Sequence, residues 1–427
     1  MLPRMSARQA IGVLVIAATW AGCTPAGEPA SESSGAWVGT VTTAGDVTIV
    51  VNESGSVWGG AATLIGEASI GVETGEPHYM FGWVTAITAD EDFIFVGERL
   101  PPVIRVYDHD GTYVRDIGSQ GQGPGEFGWP ASIVLAGGNV LVRDDGNNRF
   151  VEFSRDGEFI RTWAQWRGGF GSSRTSVVAP DGGVYFPAPV TRDPETGNSI
   201  WGYLHWGPEG EMGDPLIPPR FDYDPPILSR GSLRGPPVPL SPSVVTTLAP
   251  FGAWIAGVSS HYRFEIRHLD GRVIITEKVA DPIPISEEER DWEVRRTTAS
   301  LRRDLPDWSW NGPPIGDYLP SFSSFTPDFS GRIWVRVRAA STPVADCDPD
   351  PQPGEPAVPC WRRNFRYDVF GRDGRYLGPF DPPPELEQAS LNFAHILDNQ
   401  LIATAQDEAG TIMVKRYRLV LPGEESR

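Results

Sequence analysis

The sequence predicts an all-β fold: a six-bladed β-propeller of four-stranded antiparallel blades, closed by N- and C-terminal segments, with loop insertions on one face. Three observations carry this. Apart from its N-terminal stretch, the chain shows almost no helical period and many short β-rich runs broken by turn signals. Residues 83–118 and 129–163 align by eye, and each reads as strand, turn, strand, loop, strand, Asp-Gly turn, strand. Early hairpins of the same kind recur at Asp90-Glu91, Gly137-Gly138, Asp181-Gly182, Pro250-Phe251-Gly252, Ser330-Gly331 and Asp398-Asn399, which counts six blades. Gly, Asn and Asp suit such turns because they tolerate positive φ.

Composition bounds the rest. The 427 residues include 48 Gly and 41 Pro without a Gly-X-Y period, which excludes collagen. A hydrophobic share of 40% with 15 Trp is enough for a large core and too much for a disordered chain. The net charge of −19 repels phosphate backbones, so nucleic acid is excluded as the expected partner. Six His and three Cys leave little material for a metal site built on those residues.

At the N-terminus, Arg4 and Arg8 precede an apolar run over 10–18, followed by small residues before Cys23. This is the order of a signal peptide, and the run is too short to span a bilayer comfortably. Ala21-Gly22-Cys23 resembles a bacterial lipobox, which implies lipidation of Cys23 after cleavage. Residues 1–23 are therefore assigned to a signal peptide and 24–44 to a tether, since the stretch after Cys23 is small, polar and Pro-containing. The propeller is assigned to 45–421 and a tail to 422–427. The expected location is the cell envelope, with the membrane reached only through the lipid.

The sixth blade lacks a closing Asp-Gly turn, because the chain ends soon after the run 412–420. Its last strand must come from the N-terminus, and Thr63–Ile70 is the candidate. Ile70-Gly71 before Phe81-Gly82-Trp83 echoes Ile117-Gly118 before Phe127-Gly128-Trp129. Val47–Asn52 is read as a further outer strand. Such closure removes an open sheet edge.

Gly123-Pro124-Gly125-Glu126-Phe127, Pro130, Gly138-Asn139-Val140-Leu141-Val142, Asp144, Asn148-Arg149, Val151, Phe153 and Asp156-Gly157 resemble an NHL repeat. The whole chain resembles the six-bladed β-propeller lipoproteins of bacterial envelopes. That resemblance implies that Asp144, Asn148 and Arg149 tie neighbouring blades together and are structural first.

In a four-stranded meander, the loop between strands two and three and the connection to the next blade lie on one face. Four insertions fall in those slots, at 187–200, 217–243, 279–321 and 338–364. Long loops on a rigid scaffold carry binding residues, so this face is the expected site, and the opposite face is expected to offer little concave surface. Within 279–321, Ser286 with Glu289 forms a capping box. Acidic residues follow at the start and Arg302 and Arg303 at the end, as a helix dipole favours. This helix reads as a solvated strut or as a lid over the channel. Cys347 and Cys360 flank a Pro-rich acidic stretch, and in an oxidising envelope they suggest a disulfide; the alternative is a metal pair or two free thiols.

Trp166, Tyr223, Trp292 and Trp308, with Arg192 and Arg338, are the candidate ligand-binding residues, since exposed rings beside Arg can stack a sugar, a peptide or an aromatic ligand. The bland alternative is that such rings pack the insertions onto the blades. No nucleophile–base arrangement is evident: Gly257-Val258-Ser259-Ser260-His261 lacks the small residue of a nucleophile elbow. The expected function is non-enzymatic binding of a ligand or envelope protein. The alternative, by analogy with other six-bladed propellers, is a calcium-dependent hydrolase or lyase at the channel mouth, since propeller hydrolases of the gluconolactonase type use carboxylates around a channel ion.

Overall fold

A computed structural model describes residues 35–163, 176–194, 197, 199–231, 233–344, 359–387, 391 and 394–424. The six early hairpins each open a blade. After β1 (Val38–Ala44), β2 (Val47–Ser54) and β3 (Thr63–Ile70), blade one is built from β4 (Val84–Ala89), β5 (Phe93–Arg99), β6 (Pro102–Asp108) and β7 (Tyr113–Ile117). A short parallel pair, β8 (Ser119–Gln120) and β9 (Glu126–Phe127), joins it to blade two: β10 (Pro130–Ala136), β11 (Asn139–Asp144), β12 (Arg149–Phe153) and β13 (Phe159–Trp163). Blade three holds β14 (Val177–Val178), β15 (Val184–Arg192) and β16 (Ser199–Trp206).

A separate hairpin, β17 (Ile227–Arg230) and β18 (Leu233–Pro237), precedes blade four: β19 (Val244–Ala249), β20 (Ala253–Val258), β21 (Arg263–His268) and β22 (Val273–Lys278). The helix α1 (Glu287–Arg302) leads to blade five: β23 (Ser324–Pro327), β24 (Ile333–Pro343), β25 (Trp361–Phe370) and β26 (Tyr376–Phe380). Blade six is β27 (His395–Leu397), β28 (Gln400–Gln406), β29 (Ile412–Val420) and, as its outer strand, β3. Thr63–Ile70 therefore closes the ring, with Val420 opposite Thr63 and Val414 opposite Ile70.

The core lies in the seams between blades. Alternate residues of each strand point to opposite neighbours. On β24, Ile333, Val335 and Val337 pack toward blade four, while Trp334 packs toward blade six with Leu401 and Ala403. Phe95, Val106, Val142 and Phe153 fill the seam of blades one and two. At the hairpins, Gly182, Gly252 and Gly331 take positive φ, the conformation these turns require.

Three expectations are corrected. Residues 38–44, read as tether, form β1, antiparallel to β2. Val47–Asn52 does not extend blade six. It lies in β2, which pairs parallel with β22 at the outer edge of blade four, Val47 opposite Val273 and Asn52 opposite Lys278. Between β2 and β3 the chain runs along β26: the N–H groups of Val57, Trp58 and Ala62 donate to the carbonyls of Tyr376, Leu377 and Pro379. The N-terminal segment is thus a belt over blades four, five and six.

The third correction concerns blade three, whose sheet has three strands rather than four among the described residues. Only isolated bridges, Trp206 with Met212 and Tyr203 with Leu216, stand in for its outer strand. Pro215, Pro218 and Pro219 explain this, since proline has no N–H for the ladder.

The capping box is present. The Glu289 N–H donates to Ser286 Oγ at 3.1 Å, and the Ser286 N–H donates to Glu289 Oε2 at 3.4 Å. The buried positions of α1 are Glu289, Glu293 and Thr297, so the helix meets blade five largely through polar groups, while its half-buried Val294 and Leu301 pack on the core around Leu228 and Trp308. Glu293 receives Arg296 at 2.7 Å and also pairs with Arg363 of β25, while Ser341 Oγ donates to Glu289 at 2.7 Å. The helix is a strut against blade five.

Candidate functional site

The innermost strand of each blade is the first after the inter-blade connection. These strands, β4, β10, β14, β19, β23 and β27, surround a cavity of about 580 Å³ on the propeller axis. Its walls are mostly aliphatic or small, among them Ala86, Ile133, Val177, Val245 and Leu248. Hydroxyls of Thr88, Ser132, Thr247 and Ser324 interrupt them. The lining reaches Asp90, Arg155, Pro250 and Phe329 of the turns on the face opposite the insertions, and Leu397 where β27 enters its turn. The expectation of little concave surface on that face is therefore corrected. Residues at or beside the first hairpins of blades one, four, five and six meet there around the axis, although Asp90 and Leu397 lie more than three hundred positions apart in sequence.

Three polar groups give this cavity its chemistry. Asp90, at the tip of blade one's hairpin, pairs with Arg155 from the last turn of blade two. Asp90 Oδ1 also accepts the N–H groups of Asp92 (2.8 Å) and Phe93 (2.7 Å), which hold the hairpin. His395 opens β27, and its Nδ1 accepts the Ala89 N–H at 3.3 Å. Nδ1 therefore carries no proton, and the neutral ring bears its proton on Nε2. Burial, helped by the charge of His109, pulls the His395 pKa down to about 4. Nε2 has no hydrogen-bond partner among the described residues, although His395 lines the cavity. The Phe329 ring packs on the imidazole, 4.9 Å between centroids.

At the other end of the channel, buried carboxylates cap the entry to the inner strands of blades one and two. Glu98 Oε1 accepts the Gly82 N–H at 2.6 Å, and Arg105 lies 3.1 Å from its Oε2. Burial raises the Glu98 pKa against these partners. One blade on, Asp144 Oδ1 accepts the N–H groups of Gly128 and Trp129, and its Oδ2 accepts Asn147 Nδ2 at 2.6 Å. Arg149 pairs with Asp144 and donates to the carbonyls of Gln122, Gly123 and Glu126. These groups spend their hydrogen bonds on backbone, which is structural work. Asn148 contributes its left-handed backbone, φ 53°, while Asn147 makes the contact to Asp144.

The residues chosen from sequence fall elsewhere. Trp166 lies outside the described residues. Arg192 is exposed near a hairpin tip and donates to the Gly197 carbonyl at 3.4 Å. Tyr223 donates its hydroxyl to the Pro242 carbonyl at 3.0 Å. Trp308 is buried at 6% exposure, and its indole donates to the Ser229 carbonyl at 2.8 Å. It shares a small core with Leu228, Val238, Ile285 and Ile315 that welds two insertions together. Trp292 meets Trp361 edge to face at 5.7 Å. Arg338 is half-buried beneath α1. None of these five lines the cavity. Their rings mostly pack insertions, because large aromatics in long loops supply the apolar area those loops need. Cys360 is described but Cys347 is not, so the expected pair lies outside the described residues.

Sequence reading passed over Thr88, Asp90, Arg155 and His395. One signal was available: the strand after each blade connection must be innermost, so its residues face the channel.

Among the described residues, the cavity lining offers a calcium ion no adequate cage. Asp90 is the single carboxylate of the lining and already pairs with Arg155, whereas calcium takes six or more oxygens. Among the described residues, no group of three or more His, Cys, Asp or Glu could hold a metal. No helix of the described residues is long and apolar enough to cross a membrane.

Residues 70–164 match a family model, DUF5128, described as a 6-bladed beta-propeller. No curated protein matches the sequence. Among solved structures, a Bacteroides fragilis protein described as exported is 9% identical, with 87% of this chain and 99% of that chain covered and a TM-score of 0.47. A member of the duf4221 family from Bacteroides vulgatus is 10% identical, with 84% and 99% covered and a TM-score of 0.49. The virginiamycin B lyase of Staphylococcus aureus is 10% identical, with 84% and 99% covered and a TM-score of 0.37.

Proposed function

We propose that this chain is an envelope-tethered, non-enzymatic binding protein that takes a compact, largely apolar ligand into its channel. The lipid anchor at Cys23 belongs to the same proposal. The cavity carries the reading. Its volume falls within the range of about 300–1,000 Å³ that small-molecule sites occupy, and it combines apolar walls with a few placed polar groups. The Nε2–H of His395 is available to an acceptor on the ligand, and the wall hydroxyls supply further donors and acceptors. Asp90 and Arg155 neutralise each other beside the cavity, which suits an uncharged occupant. The hydroxyl of Thr88 lies 3.5 Å from His395 Nδ1, at the long end of hydrogen-bond range, and that nitrogen already accepts the Ala89 N–H, so the pair is read as holding the ring in place rather than as a nucleophile with its base. The calcium-dependent alternative is not favoured, because one paired carboxylate does not make a cation site.

The test uses N-phenyl-1-naphthylamine, an uncharged fluorescent apolar probe. The mature protein should bind it saturably, one per chain. Thr247→Trp places an indole in the cavity and should abolish that binding while circular dichroism stays unchanged. Equal binding by the folded variant would place the probe elsewhere and overturn the channel reading.

A further inference from the structure

Arg336 and Arg338 stand two residues apart on β24 and so share one face, opposite Tyr367 and Phe365 of β25. Trp334 on the same face is buried in the seam with blade six, which sets the direction of all three side chains. Arg363 lies two residues from Phe365 and joins them on that face. The Arg336 guanidinium sits over the Phe365 ring, 3.7 Å from its centroid. Among the described residues, neither Arg336 nor Arg338 has a hydrogen bond or an ion pair. Nε of Arg336 and one terminal nitrogen of Arg338 are sealed from solvent without a partner.

The nearby acids are spent. Glu293 serves Arg296 and Arg363, and Glu289 serves Ser341 and the helix cap. Burial disfavours the charged form of Arg338 and the Arg363 charge adds to that, while the carboxylates of Glu293 and Glu289, already engaged elsewhere, oppose it only in part. Other well-buried arginines have counter-ions: Arg105 with Glu98, Arg143 with Asp145, Arg149 with Asp144 and Arg332 with Asp328. In a chain of net charge −19, two half-buried guanidinium groups with no ion pair of their own among the described residues are an electrostatic demand only partly met. Truncating the partner of a buried charge is costly for the same reason.

We propose that Arg336 and Arg338, flanked by Arg363 and covered by α1, form a binding site for a small oxyanion, the carboxylate or phosphate group of a ligand. Guanidinium forks match both groups in bidentate geometry. The site lies on the insertion face, is separate from the channel cavity, and does not depend on the channel reading.

Melting of the mature protein in a low-salt zwitterionic buffer provides the test. Acetate or inorganic phosphate should raise the midpoint by about 1–3 °C over chloride at equal ionic strength. Acetate alone would identify the carboxylate source, phosphate alone the phosphate source. Arg338→Met removes an uncompensated charge, so it should raise the midpoint in the anion-free buffer and erase the anion increment. Arg338→Lys should weaken the increment without erasing it. Three results would overturn the proposal: neither anion surpassing chloride, the increment surviving in Arg338→Met, or Arg338→Met lowering the anion-free midpoint. Thr247→Trp should leave the increment intact, which separates this site from the channel.

Discussion

The side-chain oxygen of Asn52 accepts the backbone N–H of Tyr376 at 2.7 Å, a bond between the N-terminal belt and the last strand of blade five. The same oxygen accepts Trp37 Nε1 at 2.7 Å, and the Asn52 amide donates to the carbonyls of Glu277 and Gly374 at 3.0 and 3.1 Å. One buried side chain with all its capacity used joins β2, blade four and blade five. Asn52→Leu should cost about 3 kcal/mol, because it strands buried donors and acceptors in addition to losing bonds. Chemical denaturation should show the midpoint falling with little change in slope. A loss below about 1 kcal/mol would show that the buckle is not needed.

Deletion of residues 36–70 should be worse than any point change. It exposes β29, β22 and the edge of β26 together, and open edges pair with other chains. The truncated protein should melt earlier and aggregate by light scattering. Full retention of solubility and melting temperature would contradict the role of the belt.

His395 should make stability depend on acid. Its pKa falls from 6.5 to about 4 on folding, so between those values the unfolded chain binds more protons. Its contribution is fully present above about 6.5 and is lost as pH falls toward 4, about 3 kcal/mol in full. His395→Asn keeps an acceptor for the Ala89 N–H and cannot titrate there. The variant should lose less stability than the parent between pH 7 and pH 4. Parallel curves for the two proteins would refute the assignment.

Cys347 and Cys360 should be linked in mature protein recovered from an oxidising compartment. Mass mapping without reduction should find both in one cross-linked peptide. Alkylation of both cysteines in unreduced protein would rule the bond out.

The sequence by itself determined the all-β fold, the blade count, the capped helix at Ser286 and the closing role of Thr63–Ile70. These are readable because turn chemistry, strand alternation and helix caps act over a few residues. Gly182, Gly252 and Gly331 announce hairpins wherever the chain goes next. Tertiary structure alone decided where Val47–Asn52 docks, since a parallel pairing with Val273–Lys278 leaves no local signature across more than two hundred intervening residues. It also decided the candidate sites. Asp90 meets Arg155, and His395 meets Ala89, because six inner strands converge on one axis. Arg336 and Arg338 make no ion pair among the described residues because the helix carboxylates near them are taken by other partners. Spacing shows which residues share a strand face, but the partner across a channel or seam depends on the ring closing.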